Sequence, residues 1–166
     1  GISLIDENNF ETNNNSVRSF EELIVKKDEV HNCYNNTSKK IINALKDAIR
    51  RISSFHKKQL PKDLYYKDSQ GVYLGYKWTP IESVGLYVPG GVASYPSSVI
   101  MNAVPAIVAN VKRIVMVCPA PNGLINPTVL SVAKILKIKE IYKIGGAQAI
   151  AALAFGTKSI KKVDKI

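Results

Sequence analysis

The sequence predicts an α/β fold: an incomplete Rossmann-like parallel sheet flanked by helices, preceded by an N-terminal helical segment and a short strand pair. Three observations carry that expectation. First, short apolar runs alternate with helical patterns over Val84–Val88, Ser97–Asn110, Arg113–Val117, Pro127–Leu136, Glu140–Ile144 and Ala147–Phe155, the succession of a parallel sheet with crossover helices. Second, the run Ile114-Val-Met-Val117 is continuously apolar, which requires cover on both sheet faces. Third, two predicted strands run into glycine turns, Gly85-Leu-Tyr-Val-Pro-Gly-Gly91 and Ile144-Gly-Gly-Ala-Gln-Ala-Ile-Ala-Ala-Leu-Ala-Phe-Gly-Thr157. A small-residue helix follows the second turn at once, so free backbone N–H groups can face an anionic ligand.

Taken in order, residues 1–36 form a partial N-terminal segment, and residues 37–166 form the Rossmann-like domain with its leading helix. Asp6–Asn15, with five asparagines, reads as a surface loop. Thr37 or Ser38 can cap a helix whose apolar residues Ile41, Leu45, Ala48, Ile49, Ile52 and Phe55 recur at helical spacing, and Pro61 ends it. Val72, Leu74, Tyr76 and Trp78 alternate with Tyr73, Gly75 and Lys77, the period-two pattern of a half-buried strand in an antiparallel pair. Ser97 or Ser98 can cap the next helix, which Pro105 should kink or interrupt. Asn126 is placed to cap the following helix, with Pro127 at its first position, where a missing N–H costs nothing. The chain opens without methionine and stops at Val163-Asp-Lys-Ile166, which reads as the start of another strand, so both ends are expected to be cut points.

Composition narrows the function. A chain of 166 residues with 46% hydrophobic content can bury a core of its own. The longest apolar stretch, Val99–Val111, is too short to span a bilayer and carries Asn102, Pro105 and Asn110, so no membrane partner is expected and the location is read as cytoplasmic. The net charge of +10 invites a nucleic-acid reading, yet the basic pairs are dispersed and no run interleaves them with aromatics. No nucleic-acid partner is expected. Cys33 and Cys118 are two free thiols without a CxxC pair, and no metal site is expected within the chain. His31 and His56 have no ligand set or carboxylate at a matching offset, and both read as structural.

The ligand of an open parallel sheet binds at the carboxyl ends of its strands, where both glycine turns fall. Neither turn spells GxGxxG, so the ordinary dinucleotide fingerprint is absent. Tyr87 lies at one strand terminus and Gln148 in the first turn after Gly145-Gly146. From the residues alone, Tyr87 is either a ligand contact or a core tyrosine, and Gln148 either a hydrogen-bond partner for a ribose or ring, or a solvent-facing amide.

The literal strings resemble the histidinol dehydrogenase family. Beside the two glycine segments, the likeness takes in Phe55-His-Lys-Lys-Gln-Leu-Pro61, Thr79-Pro-Ile-Glu82, Tyr95-Pro-Ser-Ser-Val-Ile-Met-Asn102, Ile125-Asn-Pro127 and Lys162-Val-Asp-Lys-Ile166. It is nearly continuous from about residue 40. The resemblance implies an enzyme that oxidises L-histidinol to L-histidine through histidinal, with two NAD and a substrate-holding zinc, as a homodimer. It implies that Tyr87 and Gln148 are NAD contacts. The family's third NAD contact, an asparagine, its Glu-His acid/base pair and its Gln, His, Asp and His zinc ligands have no counterpart here; Glu82 and Asp164 match no catalytic position. No catalytic residue is therefore expected in this chain, which alone should be inactive. The alternative is a stand-alone nucleotide-binding module or a truncated paralogue without catalysis.

Overall fold

The computed structural model describes residues 10–12, 15–17, 20–90 and 95–166. Its centre is a parallel sheet of β5 (Ser83–Tyr87), β6 (Arg113–Val117) and β7 (Glu140–Tyr142), in the spatial order β5-β6-β7. Gly85 lies opposite Val115, and Val115 opposite Glu140. A fourth strand position opens on the far side of β5: Val84 pairs in parallel with Lys165, and the Gly85 N–H donates to the Lys165 carbonyl at 2.8 Å. The sheet thus grows one way from β5 to β7 and then reverses to the other side of β5. That reversal is the topological switch point of a doubly wound sheet. At the opposite edge, β7 is closed by residues 23–25, where Val25 N–H donates to the Ile141 carbonyl and Lys143 N–H to the Leu23 carbonyl.

Both faces are covered, as the apolar run in β6 requires. Met116 points into one core with Leu86, Val99, Val104, Val129, Leu130 and Ile141. That face carries α3 (Pro96–Val108) and α4 (Pro127–Ile135), backed by α1 (Lys27–Asn36) and α2 (Lys39–Lys57). Val115 and Val117 point the other way, into a second core with Ile144, Ala149, Ala152, Leu153 and Ile160, under α5 (Gly146–Phe155). Alternate residues of one strand feed two cores because successive side chains leave opposite faces. Where polar groups enter this interior they are paired: Thr37 Oγ1 donates to the Cys33 carbonyl at 2.7 Å and lies 2.8 Å from Ser131 Oγ. Among the described residues, no buried side-chain nitrogen or oxygen lacks a partner.

Side-chain caps set the starts of two of the five described α-helices, α2 and α4. The Asn126 side chain accepts from Thr128 N–H at 2.9 Å, with Pro127 following. Ser38, rather than Thr37, caps α2, accepting from Ile41 N–H. The expectations for α3 need correction. Tyr95 occupies its N-cap position without a side-chain bond, Pro96 leads the helix, and neither Ser97 nor Ser98 caps it. The helix also continues past Pro105 to Val108, because a proline near the last turn removes one donor while packing of Val99, Ala103 and Val104 holds the remainder.

Other differences are of burial. On α2 the buried residue is Ile42, whereas Ile41 and Phe55 are exposed; Leu45, Ala48, Ile49 and Ile52 pack part-buried on the core. Within Asp6–Asn15, read as a loop, β1 (Phe10–Thr12) pairs antiparallel with β2 (Asn15–Val17), since three register pairs suffice for a short hairpin; residues 6–9, 13 and 14 lie outside the described residues. The helix α1 was not foreseen because Lys26 offers no side-chain cap and its apolar content is sparse. The expected antiparallel pair is present as β3 (Leu64–Lys67) and β4 (Tyr73–Tyr76), but neither strand is half-buried: every residue of both is exposed, because the two strands pack chiefly on each other.

Candidate functional site at the strand ends

Three strand ends converge. Beyond β5, Val88 N–H donates to the Val117 carbonyl at 2.9 Å; beyond β6, Cys118 N–H donates to the Tyr142 carbonyl at 3.0 Å. Both glycine turns then close on Pro119. A Cβ on Gly90 would stand 2.1 Å from the Pro119 carbonyl oxygen, and one on Gly145 2.3 Å from Pro119 Cγ. Only glycine fits either place, because real Cβ contacts do not approach so closely. Gly91 and residues 92–94 lie outside the described residues.

Tyr87 ties the two turns together. Its ring packs on the core beneath α5, and its hydroxyl accepts from the Gly146 N–H at 3.0 Å. Gly146 sits at φ +72°, in the left-handed region that suits glycine, and it begins α5. The hydroxyl therefore satisfies one of the orphan donors of that helix, which has no side-chain cap. Gln148 stands two residues on, exposed, its amide folded back so that a Cβ on Gly146 would meet Oε1 at 2.6 Å. The structure thus brings the turns of Tyr87 and Gln148 to one end of the sheet, on the α5 side, at the carboxyl end of β5 where the strand order reverses.

Pro119 was missed in the sequence. The signal was the pair of prolines in Cys118-Pro-Ala-Pro121 directly after a buried strand, but nothing local shows that two glycine turns close on the first of them. Cys118 beside it is buried, and burial pushes its thiol up to about 11, so it stays protonated and unreactive at neutral pH. His31 accepts from Lys134 Nζ, and His56 Nδ1 lies 2.7 Å from Gln59 Oε1; neither histidine reaches the strand ends. Among the described residues, no group of three or more His, Cys, Asp and Glu side chains could hold a metal ion.

Two polar clasps set the fourth strand position. Asp164 Oδ2 accepts from both the Ser83 N–H and the Ser83 hydroxyl at 2.8 Å, and these hydrogen bonds hold its carboxyl below the ordinary value of 3.8. Arg113 donates to both Glu140 oxygens and to the carbonyls of Lys161 and Lys162, joining β6, β7 and the segment after α5. The bonds to Glu140 raise the guanidinium further above its already high pKa.

The class follows from these features: a doubly wound α/β domain whose two glycine turns meet at the carboxyl ends of its strands. The chain belongs to the histidinol dehydrogenase family, whose model matches residues 5–166. It is 58% identical over 144 residues to histidinol dehydrogenase of Mesorhizobium japonicum, covering 87% of this chain and 34% of that relative. Against the enzyme of Rhizobium meliloti the identity is 62% over 126 residues, 76% of this chain and 29% of the relative. The crystal structure of histidinol dehydrogenase from Elizabethkingia anophelis superposes with a TM-score of 0.83 at 39% identity, covering 87% of this chain and 34% of that one. The chain spans about a third of the length of the relatives it matches.

Proposed function

We propose that this chain is the cofactor-side portion of an NAD-dependent histidinol dehydrogenase, which oxidises L-histidinol to L-histidine through histidinal with two NAD+. In the intact enzyme, by family resemblance, a zinc ion holds the substrate, two copies form a homodimer, and the reaction takes place in the cytoplasm. The observation that carries the reading is the bond from Gly146 N–H to the Tyr87 hydroxyl, which joins the two glycine turns at the switch point. NAD fits this end of the chain. Close packing of Gly90 and Gly145 on Pro119 draws the two turns together, and the first turn of α5 offers N–H groups of Ala147 and Gln148 to an anion. When bound, the nicotinamide supplies the hydride acceptor. Tyr87 orients the first turn of α5, and the exposed Gln148 amide donates to or accepts from the cofactor. Zinc does not fit here, since the described residues hold no ligand cluster, and no step of the reaction is assigned through it.

The test is a calorimetric titration of the chain with NAD+. Binding that weakens about tenfold in Gln148→Ala, the cost of one lost hydrogen bond, supports the reading. Binding of DNA with a steep salt dependence, and none of NAD+, would replace it with the stand-alone module.

A further inference from the structure

The turn through Gly145 and Gly146 has little stiffness of its own. Two glycines in succession, the second at φ +72°, leave the backbone many paths, so its course is set by what anchors the residues on either side. Behind it stands α5. Ahead of it the anchor is Lys143, the residue between β7 and the buried Ile144. The Lys143 N–H donates to the Leu23 carbonyl at 2.7 Å, next to the antiparallel bridge of Ile24 with Tyr142, so residues 23–25 grip the strand by its edge. Ile141 enters one core while Tyr142 and Ile144 enter the other, and the alternation carries the Lys143 side chain to the Ile141 side, where α1 lies. There its Nζ meets Glu29 Oε2 at 2.9 Å.

This pair is more than a surface ion pair. The Lys143 side chain is 15% exposed and that of Glu29 27%, a place in the alternation that an apolar residue would ordinarily fill. An ammonium so enclosed is costly unless an acid meets it, and removing either partner leaves the other as an uncompensated charge. Glu29 stands in the first turn of α1, where the helix dipole favours a carboxylate, and α1 is itself packed on α4. One tether therefore runs from a helix seated in the core to the strand end three residues before Gly146.

We infer that Glu29 is a positioning residue for the Gly145-Gly146 turn: acting through Lys143, it fixes the backbone that presents the Gly146 N–H to the Tyr87 hydroxyl and aims the first turn of α5. This rests on the reading of that turn as the NAD end of the chain.

The experiment uses a resonance that belongs to the turn alone. Of the ten glycines only Gly145 follows an isoleucine, so the chain labelled at the isoleucine carbonyl carbon and the glycine nitrogen gives one carbonyl-coupled amide signal, that of Gly145. The signal is recorded beside a calorimetric titration with NAD+ and a thermal melt. Glu29→Gln and Lys143→Met each move the Gly145 signal and weaken NAD+ binding by roughly threefold to tenfold, and the double variant weakens it no more than the worse of the two, because both remove one tether. Lys143→Arg keeps the charge and the pairing, and both readouts stay with the parent. Lys134→Met removes a different contact of α1 with α4, that of Lys134 with His31, and lowers the melting temperature without moving the Gly145 signal or NAD+ binding. Variants of Glu29 and Lys143 that change the melt alone overturn the inference and leave the cofactor reading standing, as do losses that multiply in the double variant. A parent chain that binds no NAD+ removes the cofactor reading, and the inference falls with it.

Discussion

The strands β6, Arg-Ile-Val-Met-Val, and β4, Tyr-Leu-Gly-Tyr, are both short and rich in apolar or aromatic side chains, and they differ most in what surrounds them. Val115, Met116 and Val117 are 0% exposed, whereas Tyr73 is 80% exposed and Leu74 43%. The first is paired on both edges and covered on both faces; the second has one partner strand and is exposed at every residue. An apolar strand thus states a need for burial, and neighbours elsewhere in the polypeptide decide whether that need is met.

The comparison breaks most sharply under truncation. Leu130→Ala, beneath β6, should cost about 2–5 kcal/mol through lost transfer energy and a cavity, while Leu74→Ala stays within about 0.5 kcal/mol. Urea denaturation of the two variants decides it, and equal losses would show that the hairpin is packed. Next comes Gly90→Ala: its Cβ meets a backbone carbonyl oxygen that cannot rotate away, so about 1–3 kcal/mol of overpacking strain is expected in the same assay.

A smaller effect belongs to the clasps at the sheet's end. Arg113→Ala leaves the Glu140 carboxylate and two carbonyls without their donor and should lower stability by about 1–3 kcal/mol, read as a drop in melting temperature. Asp164 gives the smallest change and a pH signature. Because its folded pKa lies below the ordinary carboxylate value, its contribution is present above about pH 4 and is lost as pH falls through the folded pKa. Asp164→Asn should therefore be less stable than the parent near neutrality, and the difference should shrink in acid. A constant gap across that range would remove Asp164 from the clasp.

Much of the sheet was legible because its signals are local. Arg113–Val117 is a strand with those bounds, Asn126 and Ser38 cap their helices, and Tyr87 and Gln148 fall at a strand end and in a first helical turn. The residues Val163–Ile166, read as a strand beginning, do pair with β5 at Lys165. Less legible were features with weak local chemistry, such as the uncapped helix α1 and the start of α3 at Pro96 rather than at a serine cap. The alternation in Val72–Trp78 assigned the correct faces but implied a burial that is not there. Pro119 was silent because its role depends on glycines from two other strands.

By itself the sequence determined the alternation of strand and helix, the turns that need glycine, and the caps, since each depends on residues within a few positions of one another. The tertiary structure alone decided that the sheet runs from Lys165 through β5 and β6 to β7, that both turns close on Pro119, and that Tyr87 reaches the N–H of a residue 59 positions away. The physical reason is that such contacts are set by strand register and by the path of each crossover, which arise when the whole core packs and have no signature in any short stretch of chain.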